Sequence, residues 1–304
     1  MFNARIGSFN ELEQHRGNTN WKRWLGNHDI PSADELANVS EKINTDDLRD
    51  CLGHIHYRLK RNKVLAPMNG WMVAAIDGHE IGWSYHRASE NCLERQIEVG
   101  GEVRTQYYNR QVSFQIITKD FQFFLDMELQ RPGEDEVATA LRLLQRVIKN
   151  HPRCFDVLLA DAIYLRPSTI NFLRSHDKHF IGVLKANQPE LLGEARTLME
   201  PQEPLHIKNS KPEKCISIRD MEGFTTETIT EPVRVVWSHE ETVSRERTGK
   251  EWKEKKTVSD WFWATTMEQS LASSQTIFEF GHDRWKIEKA NQTGNDQPSP
   301  QLVL

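Results

Sequence analysis

Two acidic residues close apolar runs of strand length. In Phe155-Asp-Val-Leu-Leu-Ala-Asp161-Ala-Ile-Tyr164 there is no polar alternation from Val157 to Ala160, and the run ends at Asp161. Met72-Val-Ala-Ala-Ile-Asp77-Gly-His-Glu repeats the design and ends at Asp77. A lone buried carboxylate is costly enough that it normally pairs, protonates or holds a metal. One sheet can set these two side by side, and two strand-borne carboxylates invite a divalent cation. The matching chemistry is phosphodiester cleavage by two metal ions roughly 3.5–4 Å apart, one activating the attacking oxygen and one stabilising the leaving oxygen. Magnesium and manganese take hard oxygen ligands, so Asp and Glu suffice without His or Cys. A third acid on a helix packed against the sheet completes such a set, and Asp77, Asp161 and Glu288 fit that division.

The elements that must position these acids follow from periodicity. Runs without polar alternation are strands buried on both faces and covered by helices. Residues 73–83, 105–118 and 121–129 read as an antiparallel meander. Residues 135–149 carry apolar positions on one helical face, with a strand, a helix opened by Arg166-Pro167-Ser168 and a further buried strand at 180–184 behind them. Three antiparallel strands followed by helix, strand, helix and strand give an α/β fold, a mixed sheet flanked by helices in the ribonuclease-H-like order. Residues 205–266 alternate like strands and read as a β-rich insertion before the last helix, expected from Ser270. The expected organisation is a helical lead-in at 1–64, with Ser32 capping a helix from about Ala33. A catalytic domain follows at 65–204 and 267–290, then a disordered tail at 291–304.

With 304 residues, 27% charged and 38% hydrophobic, the chain can bury a sizeable core. No stretch has the apolar length of a membrane span or a secretory signal, so a cytoplasmic, nucleoid-associated protein without a membrane partner is expected. Cys51, Cys92, Cys154 and Cys215 form no Cys-x-x-Cys pair and read as buried free thiols. The net charge of −5 excludes a uniformly basic nucleic-acid surface but not local patches. Between Ser244 and Lys256 six basic residues outnumber three acids, and Trp252 stands among them. Lys250, Trp252, Lys253 and Lys255 are therefore the expected DNA contacts of an exposed hairpin arm, with the indole available to stack on a base.

The motifs together resemble the DDE transposases of bacterial insertion sequences, the insertion-sequence-four type, from about Pro67 to Glu288. The resemblance rests on Ala75-Ile-Asp77-Gly-His-Glu, on Asp161-Ala-Ile-Tyr164 as an Asp-x-x-Tyr signature, on Leu184-Lys-Ala-Asn-Gln-Pro-Glu-Leu-Leu, and on Arg284-Trp-Lys-Ile-Glu288. It implies cutting and joining of DNA at element ends, two Mg2+ or Mn2+ ions, and element-end and target DNA as partners. It also implies a homodimer in the synaptic complex. Tyr164 is expected at the DNA through a hydrogen bond to phosphate, or else as a packed aromatic, and Arg284 at the DNA on phosphate, or else paired with Asp283 or Glu288. The pattern departs from the family at Gly281, where a Tyr is usual, and at Asn295, where a Lys is usual. Relative to the family the chain looks shortened at both ends, and the resemblance implies that the lead-in at 1–64 holds a remnant of a longer DNA-binding region. The competing readings are a catalytically inactive remnant that only binds DNA and a host metal-dependent nuclease.

Overall fold

The computed structural model describes residues 8–207, 214–248 and 251–284, and the chain divides into two compact units, 1–55 and 56–304. In the first unit lie three short helices, α1 (Phe9–Glu13), α2 (Thr19–Trp24) and α3 (Ala33–Lys42), and the start of α4 (Thr45–Arg61). Ser32 accepts from the backbone of Glu35 while the Glu35 carboxylate accepts from Ser32, a reciprocal cap that fixes where α3 begins. The Glu13 carboxylate accepts from the Ala33 N–H at 2.9 Å, which ties α1 to α3.

The second unit continues α4 and then turns to strands. The meander is β1 (Val73–Ser84), β2 (Leu93–Val99), β3 (Glu102–Ile117) and β4 (Gln122–Leu129), followed by α5 (Glu136–Asn150) and β5 (Val157–Ala160). A 3₁₀ turn (Ala162–Tyr164), α6 (Pro167–Arg174), β6 (His179–Val183) and α7 (Pro189–Met199) come next. The remainder is β7 (Leu205–Ile207), β8 (Lys214–Phe224), β9 (Val233–Thr248), β10 (Glu251–Thr265) and α8 (Ser274–Asp283).

Among the described residues, ten strands share one sheet in the order β2-β3-β1-β5-β6-β10-β9-β8-β7, with β4 also on β3. The long β3 pairs β1 on one side and carries β2 and β4 end to end on the other. β5 is parallel to β1 and to β6, and β10 is antiparallel to β6. The strands within residues 205–266, read from sequence as an insertion, thus extend the same sheet through β10. The sequence reading also missed β2. Leu93-Glu-Arg-Gln-Ile-Glu-Val is mostly exposed, so it lacks the apolar alternation by which a half-buried strand is recognised.

Apolar residues fill both faces of the centre. Ala74, Ile76, Phe114, Leu158 and Ala160 belong to one core with residues of α5, α6 and α7; Val73, Ala75, Val157, Leu159, Ile181 and Trp263 belong to the other with Ile277 and Phe280 of α8. α8 starts at Ser274, four residues later than the sequence suggested, because Ser273 is the residue whose side chain accepts from the first turn. Cys92 and Cys154 are buried, whereas Cys51 and Cys215 are exposed, contrary to the expectation of four buried thiols. No helix among the described residues is long and apolar enough to cross a membrane.

Candidate active site

The parallel pairing of β1 with β5 matches Val73 with Val157, Ala74 with Leu158 and Ala75 with Leu159. Carried two residues further, the same offset sets Asp77 opposite Asp161. Side chains alternate across a strand, so Asp77 follows Val73 and Ala75, and Asp161 follows Val157 and Leu159, on the sheet face that α8 covers. Both acids sit where their strands leave the core, Asp77 on β1 and Asp161 just before the 3₁₀ turn.

Cationic side chains gather at Asp161. Lys185, two residues past β6, places Nζ 3.0 Å from Asp161 Oδ1. Burial pushes the Asp161 carboxyl up, but the Ala162 N–H, the Lys185 hydrogen bond and the Arg284 and Lys185 charges outweigh it and hold the group below its ordinary value. Arg284, expected at the DNA, is 3% exposed at the C-terminal end of α8, where its charge acts on Asp161.

Beneath the sheet, on the face of α5, lies a group that sequence reading passed over. Glu136, the first residue of α5, is buried; its Oε1 accepts from the Tyr164 hydroxyl at 2.6 Å and its Oε2 lies 2.5 Å from Arg110 Nη2 on β3. Gly78, next to Asp77, has no side chain where one would run into the Glu136 carboxylate. Tyr164, also expected at the DNA, is fully buried, and burial followed by the Glu136 charge keeps its hydroxyl protonated far above the ordinary range. Its position three residues past Asp161 therefore puts it in the core. His79 lies on β1. Gln111 Nε2 donates to His79 Nε2 at 2.8 Å, and burial followed by the Arg110 charge lowers the imidazole below its usual value.

Glu288 and Lys250 lie outside the described residues, and Trp252 and Lys253 enter only as backbone of the β9–β10 hairpin. Lys255 is exposed on that hairpin opposite Ser244. Trp261 and Trp263 share one sheet face, Trp263 fully buried, so both pack. Among the described residues no three His, Cys, Asp or Glu side chains cluster as a metal site. The donor chemistry nevertheless suits a hard divalent ion: two carboxylates on neighbouring parallel segments, Asp77 within β1 and Asp161 just past β5, the second of which already draws an ammonium group to 3.0 Å.

No curated protein matches the chain. One solved structure, an S-adenosylmethionine-dependent methyltransferase from Clostridium acetobutylicum ATCC 824, aligns over 43% of this chain and 46% of its own at 8% identity, with a TM-score of 0.11. That likeness is too slight to define a fold. The family described as "Transposase DDE domain" matches residues 72–297, from the residue before β1 past Glu288. On that match, over most of its length, the chain belongs to the transposase DDE domain family.

Proposed function

We propose that this chain is an insertion-sequence transposase that cuts DNA at element ends and joins the freed ends to a target by two-metal phosphoryl transfer. Members of its family are transposases that use divalent metal ions and act on DNA. The observation that carries the finer reading is the parallel register of β1 and β5, which pairs Ala75 with Leu159 two residues before each acid, so that Asp77 within β1 and Asp161 just past β5 follow on one sheet face. The order β4-β3-β1-β5-β6, with three antiparallel strands and then two parallel to the first, supports a ribonuclease-H-like core.

In this reading Asp77, Asp161 and Glu288 hold two Mg2+ or Mn2+ ions, which would polarise the phosphodiester and lower the pKa of the attacking water. The protein's own residues then have distinct tasks. Asp77 and Asp161 present hard oxygen ligands from a rigid sheet, which fixes where the scissile phosphate is received. Lys185, half exposed beside Asp161, can turn from that carboxylate to a phosphate oxygen when DNA arrives. Arg284 adds positive charge from the end of α8 while remaining buried itself. The arm around Lys255 neutralises flanking phosphates, so binding weakens steeply with salt. Concerted joining of two ends requires two copies of the chain, one at each end.

The test is nicking of a supercoiled plasmid bearing element ends, in Mg2+ or Mn2+, by the full chain and by Asp161→Ala. Nicking that disappears in the variant supports the reading. Folded protein that never nicks overturns it and leaves a DNA-binding remnant.

A further inference from the structure

We propose that Glu136 is a positioning residue that sets the separation of Asp77 and Asp161, an inference that rests on those two acids being the metal ligands. One buried carboxylate meets both segments that carry them. On one side it lies against the backbone of Gly78, where no Cβ fits. On the other it receives the hydroxyl of Tyr164, which ends the 3₁₀ turn begun just after Asp161. Arg110 Nη2, 2.5 Å away on the strand paired with β1, supplies the charge that makes an ionised carboxylate tolerable there.

The arrangement constrains each acid through its own backbone. Asp77 has β3 on one side, where the Ser113 hydroxyl donates to its carbonyl at 3.4 Å. Asp161 stands one residue past the end of β5, where ladder hydrogen bonds have stopped. The turn after it is held by the Leu165 N–H on the Ala162 carbonyl at 3.1 Å and by Tyr164 reaching into the core. With Tyr164 anchored on Glu136, and Glu136 wedged on Gly78, a shift of the second acid relative to the first must break a buried hydrogen bond. Groups hydrogen-bonded directly to a metal ligand typically contribute about 10–100-fold to metal affinity, and one that acts through the ligand's backbone is expected at the lower end of that range.

The test is Mn2+ titration of the full chain, followed by electron paramagnetic resonance well below the thermal transition of every variant. Asp161→Asn serves as the reference for loss of a ligand. Tyr164→Phe removes the hydroxyl and keeps the packed ring, and Glu136→Gln keeps the volume and the acceptor while removing the charge. The expected result is Mn2+ affinity about tenfold weaker in Tyr164→Phe. Glu136→Gln, which can still accept from Tyr164, should fall between that variant and the unaltered chain. Unchanged affinity in Tyr164→Phe and Glu136→Gln, with binding lost in Asp161→Asn, overturns the positioning role alone. Unchanged affinity in Asp161→Asn overturns the metal-ligand reading and this inference with it.

Discussion

Lys185 Nζ lies 3.0 Å from Asp161 Oδ1, so an ammonium group already sits on the oxygen that a divalent ion would claim. The two side chains are 51% and 35% exposed, and solvent screens a pair of that kind to about 1 kcal/mol or less. Lys185→Met removes the competitor. The expected outcome is Mn2+ affinity raised about two- to fivefold, together with weaker DNA binding and a shallower salt dependence. Isothermal titration with metal, and filter binding across a salt series, check the two arms.

Gly281 faces the Trp263 indole so closely that a Cβ there would overlap the ring. The position where the resembled transposases usually carry Tyr is committed here to seating α8 on the sheet. Gly281→Ala should destabilise by roughly 1–3 kcal/mol through overpacking, and Gly281→Tyr by more. Urea unfolding followed by tryptophan fluorescence reads this directly; Gly281→Tyr with undiminished stability would contradict the packing account.

Arg234 is 3% exposed and spans two elements, with Nη2 2.5 Å from Asp220 Oδ2 and Nη1 donating to the Ala272 carbonyl at 2.7 Å. Ser274, the first residue of α8, donates to the same Asp220 oxygen at 2.5 Å. Arg234→Met takes the cation from the Asp220 carboxylate, which is 11% exposed and keeps the Ser274 hydroxyl, so the expected cost is about 3 kcal/mol. The expected variant unfolds at much lower denaturant. Where it still folds, it loses nicking, because the helix that bears Arg284 has lost its anchor.

Acid should weaken the 56–304 unit in two windows. Burial, then the His151 and Lys60 charges, depress the His56 imidazole to about 4 from 6.5. Its neutral form is the folded one, so stability is full above pH 6.5 and falls as pH drops from there toward 4, by about 3 kcal/mol at most. Burial raises Glu240, but His282 and Lys214 hold it at about 2, so its contribution is full above pH 4.5 and lost between there and pH 2. His56→Phe should shrink the first window, to which the lowered His79 and His179 imidazoles also contribute, and leave the second unchanged, a result that denaturant titrations at pH 7, 5 and 3.5 can show.

What could be read from the chain alone was what its local pattern carries. The apolar runs before Asp77 and Asp161 marked both strands and both acids, and Ser32 marked its helix. Glu136 could not be found that way, since at the head of an amphipathic helix it looks like an ordinary first-turn acid. Only the approach of Gly78 and Tyr164 from distant parts of the chain gives it meaning. The bare Asp77-Gly78 step was the one visible trace, because a glycine inside a strand marks close approach by another group. The burial of Tyr164 and Arg284 was not legible either, since a polar tip in a motif gives no local sign of how deeply the side chain will sit. Joining of residues 205–265 to the main sheet depends on β10 pairing with β6, which no local periodicity encodes.

The most direct measurement is the chemistry of the cut on an end-labelled duplex carrying an element end, with an unlabelled plasmid as target. Attack of water on the scissile phosphorus breaks its bond to the 3′ oxygen, so the account predicts a 3′-hydroxyl at the element end that then becomes covalently joined to the plasmid. Asp77→Asn and Asp161→Asn should each abolish both steps in Mg2+ and in Mn2+. A product ending in a 3′-phosphate, or cutting and joining that survive either substitution, would contradict it.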